Sequence, residues 1–355
     1  MKLQAFDFFC GAGGLTKGLS RSGIQIIAGF DCDTRCRETY EHNNPEARFL
    51  DTEIQGIKLK ELQAYAGVET FENTLFAGCA PCQPFSTHRK GRDRGSDATL
   101  LSDFARIVVE AKPGFVLIEN VPGIVKVQGY STFRRFINSL KQCGYSYSLG
   151  NLNAKYFGVA QNRRRLVLIG LLSGMATLPK ETHGPGRLPL KTVREAISHF
   201  PPLPAGKSDS KAPNHVAASI SELNIERIKM TPHDGGDRRS WPVRLRLDCH
   251  TGNHDGHTDV YGRMKWDFPA PTLTGRCNSI SNGRYGHPEQ DRAISLREAA
   301  ALQSFPDDYV FFGSNTHIAL QIGNAVPVLF AEALGRHIMQ LQENADDLGV
   351  INLQK

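Results

Sequence analysis

The chain has 355 residues, 40% of them hydrophobic and 22% charged, a globular composition that excludes a disordered or fibrous protein. Its length suits two compact units, one of them interrupted by the other. Lys+Arg 42 against Asp+Glu 36 leaves a net charge of +6, compatible with a polyanionic partner but too small to bind one by bulk charge alone.

No run of 18 uncharged apolar residues is evident, so no bilayer-spanning segment is expected. The opening MKLQAFDFFCGAGG carries Asp7 within its apolar run and reads as a first strand rather than a secretion signal. Eight cysteines, at 10, 32, 36, 79, 82, 143, 249 and 277, lack the density of a disulfide scaffold. They read as reduced thiols in a cytoplasm.

Strand and helix then alternate. An apolar run at 3–9 is broken by the glycines at 11, 13 and 14, and a helical pattern follows at 15–22. A second run at 24–30 ends in Asp31 and leads into a helix at 34–43; a third, shorter strand precedes Asp51. Runs at 74–77 and 115–118 each end in a proline-containing loop. Between them Leu100, Phe104, Ile107, Val108 and Ala111 mark one face of a helix stopped by Pro113. A helix at 132–142 and a strand at 166–172 complete the series. This is the pattern of an α/β fold, a Rossmann-like, mostly parallel sheet covered by helices, with ligands beyond the carboxyl ends of the strands.

Residues 181–292 differ in character, holding 11 of the 19 prolines, 8 of the 12 histidines and both tryptophans. A smaller, irregular, loop-rich unit with short strands is expected there. Helical periodicity returns at 295–303 and 328–341. The expected division is a first domain at 1–180, an inserted one at 181–292, and a return to the first at 293–355.

Two loops carry chemistry. FDFFCGAGGL sets a glycine turn directly between strand and helix, where an open α/β sheet binds nucleotide-like ligands. The spacing is G-x-G-G rather than the dinucleotide G-x-G-x-x-G, and Asp31 stands 20 residues beyond Gly11, suited to a ribose diol. That combination points to an adenosyl ligand without a pyrophosphate, S-adenosyl-L-methionine. The second loop, GCAPCQPFS, holds Cys82 and Gln83 between prolines in a stiff turn. Its C-x-x-C pair admits zinc or redox readings, but no second pair exists to complete a zinc site, and an inert thiol or a nucleophile are the remaining choices. CHTGNHDGH at 249–257 is read as loop histidines, and no metal is expected.

DFFCGAGG, APCQPFS, the ENV at 119–121, the Q-x-R-x-R at 161–165 and the QIGNAVP at 321–327 together resemble the DNA (cytosine-5)-methyltransferases, in that family's order and spacing. The resemblance covers nearly the whole chain outside 181–292. It implies that Cys82 is a nucleophile adding to C6 of cytosine, and that Glu119 meets N3 and the exocyclic amine from a dry pocket. It further implies that Arg165 approaches O2 and that Arg163 fixes the catalytic loop. For S-adenosyl-L-methionine it implies Phe9 on the adenine, Asp31 on the ribose, Asp51 on the adenine amine, and Gly11, Gly13 and Asn324 along the methionine end. One departure stands out: the residue after the ribose acid, often bulky and apolar in the family, is Cys32 here.

The basic loop after Cys82 would close over double-stranded DNA, with Gln83, Ser86 and Arg89, together with Gln161, expected to contact it around a flipped-out cytosine. Within 181–292, where Lys+Arg 16 face Asp+Glu 13, the family reads DNA sequence; Arg244, Arg246, Arg263, Arg276 and Arg284 are candidate groove readers. The expectation is a monomeric, cytoplasmic, nucleoid-associated enzyme of restriction–modification type, with a cognate endonuclease as a possible partner. The rivals are a tRNA cytosine-C5 methyltransferase on the same scaffold and a catalytically silent DNA-binding protein.

Overall fold

The computed structural model describes residues 2–80, 96–125, 129–250 and 259–353. The chain divides into two compact units. The first comprises Met1–Asn153, Arg164–Glu181 and Val328–Lys355; the second comprises Ala154–Arg163 and Thr182–Pro327. The return to the first unit thus begins at Val328 rather than at 293, and the segment carrying Gln161 and Arg163 groups with the second unit.

The first unit is built on seven strands: β1 (Gln4–Phe8), β2 (Gln25–Asp31), β3 (Arg48–Asp51), β4 (Thr74–Gly78), β5 (Phe115–Asn120), β6 (Ser146–Asn153) and β7 (Arg164–Leu171). Their order is β3-β2-β1-β4-β5-β7-β6. Neighbours from β3 to β5 pair in parallel, and β7 runs antiparallel to both β5 and β6. Helices α1 (Gly14–Arg21), α2 (Arg37–Asn43), α3 (Leu59–Ala66), α4 (Ser96–Ala111) and α5 (Gly129–Gln142) lie between the strands in sequence.

Every residue of β4 and β5 is buried, as crossover helices on both faces of a parallel sheet require. The core is aromatic at its centre. Phe8 stacks on Phe30 with ring centroids 5.2 Å apart, and Phe6 meets Phe76 edge-on at 5.7 Å. Register decides where the site lies. Phe8 pairs with both Phe30 and Gly78, and Gly78 pairs with Ile118, so Phe9, Asp31, Cys79 and Glu119 each fall one step beyond, along one edge of the sheet. The strand β6 has no apolar run to announce it, because its residues are mostly half-buried or exposed at the end of the sheet.

In the second unit the described residues form isolated bridges instead of the short strands expected, such as Arg263 with Gly286 and Gly286 with Ala293. Its helices are α6 (Val193–Ile197), α7 (Glu222–Lys229), α8 (Leu296–Leu302) and α9 (Asn315–Asn324). Trp241, Leu245, Tyr261, Ile228 and Ile280 form a small apolar cluster. Without a ladder, backbone carbonyls need other donors, and buried arginines supply them. Arg263 donates to the carbonyls of Thr231, His287, Gln290 and Ile228 and pairs with Asp291. Arg263 was expected to read a groove; it is fully buried and has no surface to offer. Arg284 is likewise engaged, on the carbonyls of Gly235 and Gly236, whereas Arg244, Arg246 and Arg276 are exposed.

The terminal helix α10 (Val328–Leu353) packs in the first unit against α1, where a Cβ on Gly18 would collide with Ala331 and the Val328 carbonyl, each at 2.4 Å. The stretch Asn315–Asn344 is apolar enough by length and composition to cross a membrane, which the sequence reading did not register. Its most apolar window is 72% buried, and the helix breaks between Asn324 and Val328.

Candidate active site

The turn after β1 is shaped by its backbone. Phe9 adopts φ +66°, a left-handed conformation uncommon for an aromatic residue. It is held there because its own N–H and that of Cys10 both donate to the Phe30 carbonyl, at 2.8 and 3.0 Å. Gly11 and Gly13 follow at φ +49° and +84°, and Gly13 caps α1. The Gly11 N–H donates to Asp31 Oδ2 (2.8 Å), while Asp31 Oδ1 accepts from Asp33 N–H (2.8 Å). A Cβ on Gly11 would meet nothing within 4 Å, so open space borders the turn beside this carboxylate. Asp51 pairs across from Asp31 in the β2–β3 register and is exposed, with Arg37 3.7 Å away. Cys32 is exposed beside them.

Beneath the turn lies a group the sequence reading passed over. Asp7 is fully buried in β1; its Oδ2 accepts from both the N–H (3.1 Å) and the hydroxyl (2.7 Å) of Thr16 in the first turn of α1. Thr16 Oγ1 is also 3.1 Å from the Tyr40 hydroxyl, and Asp7 Oδ1 has no hydrogen-bond partner among the described residues. Burial raises Asp7 from 3.8 to about 7 against the pull of Thr16. The signal was present: an acid at an inward position of a strand whose two faces are both covered has nowhere to go but the core.

Farther along the same edge, Glu119 is buried at the end of β5, and Arg165 Nε lies 2.9 Å from its Oε1. That contact is an ion pair only, because among the described residues no donor is aligned with Oε1 well enough to form a hydrogen bond. Asn120 braces the neighbouring loop, donating to the Ala80 carbonyl (3.1 Å) and accepting from Val121 N–H (2.7 Å). Burial, then Glu119 and Asp7, push the Cys79 thiol well above its ordinary range, so it is a poor nucleophile at neutral pH. The seven cysteines among the described residues are free thiols. Cys82, Gln83, Ser86 and Arg89 lie outside the described residues, as does most of the histidine-rich 249–257 stretch.

The remaining predicted residues belong to the second unit, and one of them differs from expectation. Gln161, expected to contact DNA, is fully buried. Its Nε2 donates to Gln303 Oε1 (2.9 Å) and the Leu302 carbonyl (3.2 Å), and its Oε1 accepts from Leu273 N–H (2.9 Å). Both ends of the amide are committed to protein, so Gln161 braces instead. Arg163 is buried too and donates to the carbonyls of Leu273, Gly323 and Ala325, while the catalytic loop it was expected to fix lies outside the described residues. Gln303, which the sequence reading did not single out, donates to the Ile322 carbonyl (2.7 Å). These three side chains fix the turn that carries the exposed Asn324, and a Cβ on Gly323 would overlap the Thr274 carbonyl at 2.1 Å.

A glycine turn at positive φ, open space beside it and a partly buried carboxylate at the next strand end fit an adenosyl group with a ribose diol. Strand order and site edge define an S-adenosyl-L-methionine-dependent methyltransferase fold. Residues 3–340 match the family model of the C-5 cytosine-specific DNA methylases. The Type II methylase M.HgiDII of Herpetosiphon aurantiacus is 38% identical over 342 residues, 95% of each chain. The Type II methyltransferase M1.HphI of Haemophilus parahaemolyticus is 33% identical across 97% of this chain and 88% of its own. The crystal structure of an Escherichia coli prophage protein assigned as a DNA modification methyltransferase superposes with a TM-score of 0.75 at 22% identity, covering 96% of this chain and all (100%) of its own. The chain belongs to the C-5 cytosine-specific DNA methylase family. It is an enzyme that transfers a methyl group from S-adenosyl-L-methionine to C5 of cytosine in DNA.

Proposed function

We propose that the chemistry runs through a covalent bond between Cys82 and C6 of a cytosine rotated out of duplex DNA. S-adenosyl-L-methionine supplies a methyl group on a sulfonium, ready for attack by carbon. Cytosine C5 is a poor nucleophile; a thiolate adding at C6 places electron density on C5 and remedies that. Loss of the C5 proton and departure of the thiolate then restore the ring. Rotation out of the stack costs a few kcal/mol, offset by contacts of Gln83, Ser86 and Arg89 with the strand.

The observation that carries this reading is the buried Glu119–Arg165 pair at the sheet edge, with Oε1 lacking an aligned donor. A carboxylate desolvated in this way favours a ligand that brings an N–H, and the cytosine amine with N3 alongside is such a partner. Arg165 is then available to O2. Phe9 packs on adenine, Asp31 takes the ribose, Asp51 the adenine amine, and Gly11, Gly13 and Asn324 the methionine end. Arg163 and Gln161 act as positioning residues through the Asn324 turn. The second unit reads the DNA sequence, centred on residues 181–292. Relatives named as Type II methylases support a restriction–modification role; a cognate endonuclease and a place on the cytoplasmic nucleoid belong to the same reading.

Cys82→Ser should abolish methyl transfer while leaving S-adenosyl-L-methionine binding intact, and DNA containing 5-fluorocytosine should trap a covalent adduct because fluorine blocks the final elimination. Retained turnover in the variant, or no adduct under turnover conditions, overturns the covalent route.

A further inference from the structure

The segment 237–246, DRRSWPVRLR, concentrates four arginines and one acid. Two short 3-10 turns, Arg238–Ser240 and Val243–Leu245, flank Trp241, which anchors them. Trp241 is buried, donates its Nε1–H to Thr231 Oγ1 (2.8 Å), meets Tyr261 edge-on at 5.2 Å and lies under the Arg227 guanidinium at 5.5 Å. A loop fixed in this way presents its outer side chains from a rigid base.

Those outer side chains surround an open pocket of about 150 Å³ lined by Arg238, Arg239, Trp241 and Arg246. Arg239 and Arg246 are exposed. Arg246 donates its Nε–H to the Trp241 carbonyl (3.1 Å), which aims the guanidinium, and Arg239 is oriented by a two-pronged contact with Asp237. Three guanidinium charges against the Asp237 carboxylate leave a local positive surplus in a unit whose overall charge is nearly balanced. An open, cationic pocket large enough for a tetrahedral oxyanion and rimmed by fork-shaped donors on an anchored loop matches a phosphodiester better than a base edge.

We infer that this pocket seats a backbone phosphate of the DNA substrate, held by Arg239 and Arg246, and that it sets the register of the recognition unit on the duplex. This rests on the reading that the second unit recognises DNA. Phosphate contacts of this kind position a protein without specifying sequence, so the pocket is distinct from whatever reads the bases.

The test measures binding of the full-length enzyme to fluorescein-labelled duplexes, with and without the methylated site, across a series of salt concentrations. Arg239→Ala and Arg246→Ala should each weaken both duplexes about five- to tenfold near physiological salt. Each should also reduce the slope of log K against log salt by about one, with S-adenosyl-L-methionine affinity unchanged. Arg246→Lys should restore most of the slope, since the charge is kept. Arg187→Ala, an exposed arginine elsewhere in the unit, should change neither quantity. An unchanged slope in the two pocket variants overturns the inference. So does a loss confined to duplexes bearing the site, which would make these base readers, or an equal effect from Arg187→Ala, which would make the attraction bulk charge. The underlying reading fails separately: grafting 181–292 from a relative would leave the methylated sequence unchanged even though the pocket variants lose affinity.

Discussion

The two units solve the same problem, satisfying buried backbone, with different materials. In the first, parallel strands pair their own N–H and carbonyl groups, and the space around them is filled with hydrocarbon: Phe6, Phe8, Phe30, Phe76 and Phe104. In the second, the described residues form no sheet, and guanidinium groups replace the ladder. Arg263, Arg292 and Arg297 are fully buried; Arg263 and Arg297 each bind three or more loop carbonyls, and Arg292 binds those of Leu203 and its neighbour Ala293. Arginine suits this work because it carries five donors in a rigid fork and stays charged. The first arrangement fixes a precise edge for chemistry. The second holds irregular loops in place without dictating their sequence, which is what the proposed recognition of one DNA site among many would require.

The strongest way to break that contrast is to attack a tie. Arg292 meets Glu298 in a two-pronged pair, both contacts at 2.7 Å, and also donates to the carbonyls of Leu203 and Ala293. Glu298→Gln leaves a buried charge without its partner and should cost about 3–5 kcal/mol. Buried ion pairs elsewhere can be exchanged for apolar residues at little loss. Here the double variant Arg292→Met/Glu298→Leu should remain at least about 2 kcal/mol below the parent, because two buried carbonyls lose their donor. Urea unfolding monitored by Trp241 and Trp266 fluorescence measures this. Full rescue by the double variant would mean that the arginine serves the carboxylate and not the backbone.

Titration gives a second, smaller contrast, with opposite signs in the two units. Burial raises Asp7 from 3.8 to about 7. The native state therefore keeps a proton there that the unfolded chain has already released, and this contribution to stability is lost as pH rises from about 4 to 7. Asp31, also raised by burial, acts in the same direction. In the second unit, burial lowers His287 from 6.5 to about 4, and its Nδ1 accepts from the N–H groups of Glu289 and Gln290. There the unfolded chain takes up a proton that the native state refuses, so stability is lost as pH falls from about 6.5 toward 4. Each slope should approach 1.4 kcal/mol per pH unit at most. Amide hydrogen exchange in β1 and β4, compared with residues 284–293, should show stability falling with pH in the first unit and rising in the second. Asp7→Asn and His287→Gln should each flatten the slope of their own unit. Slopes of the same sign in both units would contradict the assignment.

How much of this was legible in the sequence follows the same division. Apolar runs ending in glycine or an acid announced β1, β2, β4 and β5, and with them the positions of Phe9, Asp31 and Glu119, because a parallel sheet writes its burial directly into hydrophobicity. The edge strand β6 and the helix α3 were passed over, the first because it is only partly covered and the second because its buried face amounts to Leu62 and Ala66. The arginine ties were invisible for a deeper reason. A charged residue is read as exposed by default, so Arg263 was nominated for the DNA groove although it is the most thoroughly committed side chain of its unit. Gln161 misled in the same way: its motif marked it as important, but a glutamine that braces two turns and one that touches DNA look alike until the partners of its amide are known.

Cys32 offers the finest test of the first unit, since it follows Asp31, the carboxylate proposed to take the ribose, and is exposed. With Phe9, the proposed adenine wall, fixed by its left-handed backbone, position 32 adds no aromatic ring beside it. Cys32→Trp should supply the second. An offset-stacked or edge-on aromatic contact contributes about 0.5–1.5 kcal/mol beyond area burial, so the affinity for S-adenosyl-L-methionine should tighten roughly two- to tenfold. Because position 32 is at the surface, the substitution displaces no core side chain and the melting temperature of the unliganded protein should hold. Calorimetric titration reads the affinity, and the same titration on Phe9→Leu calibrates the loss of the existing wall. Equal or weaker binding by Cys32→Trp would place the adenine away from position 32, and the edge between β2 and β3 would then have to hold the cofactor through Asp31 and Asp51 alone.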